Sequence, residues 1–142
     1  KAVPVLSKEE IIADTPSELR QWPVQMHLLN PMASYFQNAD VVFAADCVAF
    51  SMGNFHQKFL KNRALAIACP KLDSNKDVYI EKLTTMIVNA KLKSLIVPIM
   101  EVPCCGGMIQ MAKIAREKAG SDLPIQKIVV GIKGDILSEE TV

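Results

Sequence analysis

Ser94-Leu-Ile-Val-Pro-Ile-Met100, followed at once by Glu101-Val-Pro-Cys-Cys-Gly-Gly107, is the stretch that decides the fold. A nearly unbroken apolar run of this length, bounded by polar and turn residues, fits a strand buried on both faces of a parallel sheet. Pro98 cannot donate to a ladder, so it predicts an irregular or edge position near the strand's end. Downstream, Met108, Met111, Ala112, Ala115 and Ala119 fall on one helical face. That helix is expected to stop at Gly120, with Pro124 beyond it.

The same grammar repeats on either side. Asp40-Val-Val-Phe-Ala-Ala-Asp46, Ala64-Leu-Ala-Ile-Ala68 and Gln126-Lys-Ile-Val-Val-Gly-Ile132 are further buried-strand candidates. Trp22-Pro-Val-Gln-Met-His-Leu-Leu29 alternates, with Val24, Met26 and Leu28 opposite Gln25 and His27, and predicts a strand with one polar edge. Met52, Phe55 and Phe59 form one helical stripe, and Tyr79, Ile80, Leu83, Ile87 and Ala90 another. Strands alternating with helices imply βαβ units with right-handed crossovers. The expected fold class is α/β: a single three-layer, Rossmann-like domain over residues 21–142, with a mostly parallel sheet of about five strands. Residues 1–20 are polar and irregular and read as an N-terminal arm, in which Ser7 and Glu10 form a weak capping box and Pro16 is a breaker.

With 142 residues, half of them hydrophobic, the chain can bury a core of its own, which argues against disorder. Sixteen basic residues against fifteen acidic leave a net charge of +1, and no basic face for nucleic acid or an anionic membrane. No apolar run reaches the roughly 18 residues of a membrane span, and the first ten residues lack signal-peptide order, so a cytoplasmic location is expected. In a reducing compartment the four cysteines are thiols, metal ligands or catalytic groups rather than disulfides.

Their positions carry the strongest functional signal. Cys47 follows the first buried run, Cys69 the second, and Cys104 and Cys105 the third, after the kink at Val102-Pro103. In an open α/β sheet the carboxyl edge of the strands is where ligands bind. Cys104-Cys105-Gly106-Gly107 opens a helix, where unpaired N–H groups favour thiolate, and the two glycines allow close approach of backbone to whatever the sulfurs hold. Four thiolates suit an iron–sulfur cluster or zinc. His27 and His56 are candidate additional ligands; Asp46 and Glu101 are placed to hydrogen-bond ligands, tune a cluster by charge, or cap loop backbone. Gly106-Gly107 matches neither a Walker A loop nor a G-x-G-x-x-G fingerprint, which makes nucleotide binding the weakest reading.

Four segments together carry a family resemblance: residues 19–31 (Leu-Arg-Gln-Trp-Pro-Val-Gln-Met-His-Leu-Leu-Asn-Pro), Ala44-Ala-Asp-Cys-Val-Ala-Phe50, Ala68-Cys-Pro-Lys-Leu-Asp73 and Glu101-Val-Pro-Cys-Cys-Gly-Gly107. Over residues 19–136 the sequence resembles the C-terminal region of bacterial and archaeal 4Fe-4S ferredoxin-like iron–sulfur binding proteins. The long gap from Cys69 to Cys104-Cys105-Gly106 also resembles the first half of the cysteine-rich CCG motif of the heterodisulfide reductase family, without its downstream C-x-x-C. The resemblance implies a [4Fe-4S] cluster, an electron-transfer role, and as partner either a redox protein or a ferredoxin module of the kind that precedes this region in the family; that module's cysteine run is not among these 142 residues. Read from the residues alone, the cluster ligands are Cys47, Cys69 and Cys104 or Cys105. Two alternatives stand beside it. One is a thiol-dependent redox enzyme using Cys104 or Cys105; the other is a zinc or other transition-metal site combining cysteines with His27 or His56.

Overall fold

The computed structural model describes residues 15–142, except for the side chain of Cys104. Four of the expected runs form strands: β1 (Asp40–Ala45), β2 (Ala64–Ala68), β3 (Ser94–Met100) and β4 (Ile125–Val130). A fifth, β5 (Ile136–Thr141), closes a sheet of order β2-β1-β3-β4-β5. The first four strands pair in parallel and β5 returns antiparallel to β4. At the start of the central ladder Ser94 Oγ donates to Asp40 Oδ1 at 2.6 Å, which ties β1 and β3 in the register that sets Asp40 opposite Ser94.

Three helices follow: α1 (Val48–Ser51), α2 (Asp77–Val88) and α3 (Gly107–Lys118). The connections β2-α2-β3 and β3-α3-β4 step across the sheet in the same direction, so right-handed crossovers put α2 and α3 on one face, where they pack together. The connection from β1 to β2 steps the other way. It therefore sends α1 and a π turn, His56–Leu60, to the opposite face. Tyr79, Leu83, Met86 and Ile87 on α2, and Met108, Met111, Ala112 and Ala115 on α3, are buried. Gly120 ends α3 in the left-handed region, at φ +60°, as its position after the helix predicts. The result is the three-layer, Rossmann-like α/β domain expected, with one antiparallel pair.

Several local expectations are corrected. Trp22–Leu29 is not a strand: Gln25 makes one isolated parallel bridge to Ile67, and Met26–Leu28 then turns as a 3-10 helix. The reason lies at the edge of β2, where the Gln21 side-chain amide both donates to the Leu65 carbonyl and accepts from its N–H, at 2.8 Å each. The Leu65 backbone groups a further strand would need are already taken, and backbone pairing is confined to Ile67, whose N–H donates to the Val24 carbonyl at 2.9 Å. The Met52, Phe55 and Phe59 stripe is buried, but its backbone is α1, a turn through Gly53-Asn54 and the π turn rather than one helix. Of the two positions expected for Pro98, the edge is wrong, because β3 is central, whereas the irregular one fits. The ladder from β3 to β1 stops at Ile96, whereas pairing with β4 continues through Pro98 to Met100. The capping box at Ser7 and Glu10 lies outside the described residues.

The sequence reading did not anticipate β5. Five of its six residues are exposed, and Glu139 and Glu140 charge an edge that would otherwise invite another strand. The turn into it depends on Gly134, at φ +90°, where an added Cβ would lie 2.2 Å from the carbonyl oxygen of Ser51. Gly134→Ala is expected to cost at least about 1–3 kcal/mol in urea unfolding, from backbone strain and the forced retreat of α1. Gly53→Ala, where a Cβ meets nothing within 4 Å, is the control and should leave the midpoint nearly unchanged.

Candidate functional site

Because β2, β1 and β3 are adjacent and parallel, the residues leaving their carboxyl ends converge. Asp46 and Cys47 leave β1, Cys69 leaves β2, and the 3-10 turn Pro103–Cys105 follows β3. The chain departs in opposite directions from β1 and β3, which makes this the switch point where open α/β sheets hold ligands. Here lies a crevice of about 60 Å³, lined by Cys47, Cys69, Cys105 and Asp46 with apolar walls that include Ala45, Pro70 and Met100. Cys47 is exposed at its mouth, Cys69 half-buried and Cys105 buried.

A compact network shapes the Cys69 loop. Asp73 accepts the Cys69 N–H at 3.0 Å through Oδ2, and its own N–H returns to the Cys69 carbonyl at 2.9 Å. The Leu72 N–H donates to Cys69 Sγ at 3.4 Å, and Lys76 Nζ donates to the Pro70 carbonyl at 2.7 Å. The buried Tyr79 hydroxyl donates to the same Asp73 oxygen in a short hydrogen bond. The second loop is pressed against the first: a Cβ at Gly107 would stand 3.2 Å from Pro70 Cβ. Gly107 thus lets the start of α3 meet the Cys69-Pro70 turn, while Gly106 has only an ordinary 3.6 Å neighbour, the Pro103 carbonyl. The close approach foreseen for the glycine pair is between two cysteine-bearing loops.

Asp46 is half-buried, and its Oδ1 has no hydrogen-bond partner among the described residues. Burial, and then the Asp73 carboxylate, push its carboxyl above the usual range, against a hydrogen bond from Gln25. The other expected site residues lie elsewhere. His27 is exposed, with Nε2 2.7 Å from the Ser74 carbonyl and its ring 4.4 Å from that of Tyr79. The Glu101 carboxylate accepts the Ile132 N–H at 2.9 Å and braces the turn into β5, so it caps loop backbone. His56 accepts the Glu18 N–H through Nδ1 at 3.0 Å and borders a separate cavity. Among the described residues, no three His, Cys, Asp or Glu side chains are grouped to hold a single ion. Asp73 and Tyr79 are the members that sequence reasoning missed. Asp73 sits four residues after Cys69, the spacing of a turn that folds back on its cysteine, and Tyr79 was concealed in the apolar stripe of α2.

Burial, the hydrogen bond to Asp73, and the charges of Asp73, Asp46 and Cys69 raise the Tyr79 phenol far above its ordinary value. A folded-state value above the unfolded one favours the folded state below pH of about 10, and that contribution is lost as pH rises beyond it. Ultraviolet titration should therefore show one of the two tyrosines un-ionised at pH values where an exposed phenol is already phenolate. The urea midpoint should fall between pH 9 and 11 more steeply in the natural protein than in Tyr79→Phe; parallel pH profiles would contradict this.

A family model described as a Rossmann-like domain matches residues 33–142. An uncharacterized protein of Archaeoglobus fulgidus is 30% identical over 119 residues, which cover 84% of this chain and 83% of that protein. No solved structure matches the chain. No helix among the described residues is long and apolar enough to cross a membrane. With the model spanning all five strands, α1 to α3 and the three crevice cysteines outside the Cys104 side chain, the chain belongs to the Rossmann-like domain family.

Proposed function

We propose that the crevice at the carboxyl edge of β2, β1 and β3 binds an iron–sulfur cluster of the 4Fe-4S type and that the protein transfers electrons. The observation that supports this reading is that Cys47, Cys69 and Cys105, from three separate strand ends, line one crevice. Cys104, next to Cys105, is the fourth thiol of the set. The donor chemistry suits a cluster: sulfur ligands, apolar walls and an N–H aimed at Cys69 Sγ, the kind of contact that tunes a potential. At about 60 Å³ the crevice is small, so a bound cluster would project from the mouth where Cys47 is exposed. A cluster spreads its thiolates over several metal atoms.

When bound, such a cluster supplies one-electron transfer. The chain's own residues would hold it and control its surroundings: Asp73 and Tyr79 fix the Cys69 loop, and Gly107 holds the Cys105 loop against it. The partner is a redox protein or a ferredoxin module that reaches the open mouth. Anaerobically purified or iron- and sulfide-reconstituted protein is expected to contain iron and acid-labile sulfide, to absorb broadly in the visible, and to give an EPR signal on reduction. Cys69→Ser and Cys105→Ser should each reduce iron content several-fold while the fold persists. Folded protein that takes up no iron would sink the proposal. If one thiol then alkylated rapidly and stoichiometrically near neutral pH, a thiol redox enzyme would replace it.

A further inference from the structure

On the other side of Asp46 from the cysteines lies a second cavity, of about 190 Å³, whose walls include Trp22, Val24, Phe50, Phe55, Leu65 and His56. Its surface is almost wholly apolar, yet two large aromatic side chains at it are left in water: Trp22 is 77% and Phe50 93% exposed. Its volume resembles that of a cavity of about 150 Å³ that accepts benzene, with room for a few more atoms. Two polar side chains, Asp46 and His56, reach it, and the donor and acceptor roles of the histidine are defined. His56 Nδ1 accepts the Glu18 N–H at 3.0 Å, so the hydrogen of the neutral ring is on Nε2, and that nitrogen is a donor.

We infer that this cavity is a binding site for a neutral, single-ring aromatic molecule bearing a carbonyl group. The ring would occupy the apolar volume between Trp22 and Phe50, whose faces favour another aromatic ring. The carbonyl oxygen would accept from His56 Nε2. An apolar pocket with a few placed polar groups is the usual form of a small-molecule site. No cysteine among the described residues lines this cavity, and Asp46 is the residue it shares with the crevice, so the binding test is made on protein whose crevice is empty of metal.

Trp22 is the sole tryptophan, so its indole N–H gives a single NMR cross-peak at the cavity. The metal-free 142-residue protein would be titrated with acetophenone and, separately, with ethylbenzene, which has a similar size and no carbonyl. Acetophenone is expected to move the Trp22 signal saturably and to bind about fivefold more tightly than ethylbenzene, the worth of one hydrogen bond. In His56→Phe the two probes should bind equally. Ala49→Leu, at an exposed position on α1 lining the cavity, should abolish saturation while the remaining spectrum stays dispersed. A shift linear in probe concentration, or saturation that Ala49→Leu leaves intact, would overturn the site. Equal affinity of the two probes in the natural protein would overturn the carbonyl contact. Tighter binding of benzylamine would assign the cavity to cations held by Asp46 instead.

Discussion

Parallel pairing of β1 with both β2 and β3 is the constraint on which everything else depends. Neighbouring strands lie about 4.8 Å apart, and parallel ones all finish at the same edge. Three strand-end loops are therefore crowded together whatever their sequences. Burial on both faces makes that arrangement rigid: most residues of β1, β2 and β3 are buried, so a one-residue slip would turn the Ser94–Asp40 contact out of place without any gain in apolar cover. The site inherits its precision from this core rather than from its own loops.

The loops add a second layer of order. Asp73 ties the Cys69 backbone to Tyr79, which is itself buried on α2, so the turn is anchored to the helical layer below it. Gly107 removes the side chain that would hold the start of α3 away from Pro70. Together they bring a buried and a half-buried thiol to one wall while Cys47 stays at the mouth. This gradient of exposure suits a group that is held from within and approached from without. Asp46, whose Oδ1 has no hydrogen-bond partner among the described residues, lines both this crevice and the apolar cavity.

Much of this was legible beforehand, because buried strands declare themselves. The runs at Asp40, Ala64 and Ser94 became β1, β2 and β3 with shifts of a residue or less, and the cysteines after them did reach one edge. The reading failed where chemistry outside the local pattern decided the outcome. Trp22–Leu29 alternates like a strand, but Gln21 had already occupied the edge of β2 with its side chain. The exposed, glutamate-bearing β5 has no apolar run to find.

The fold class, the parallel core and the edge at which Cys47, Cys69 and Cys105 emerge follow from the order of residues alone, since apolar runs between helical stripes admit few other arrangements. Which polar residues attend them was settled by packing. It drew in Asp46 and Asp73, left His27 against Tyr79 and Glu101 on the turn before β5, and gave His56 to a separate apolar cavity. The physical reason is that burial periodicity is a property of a segment, whereas a hydrogen bond is made between whichever groups packing brings within 3 Å or so.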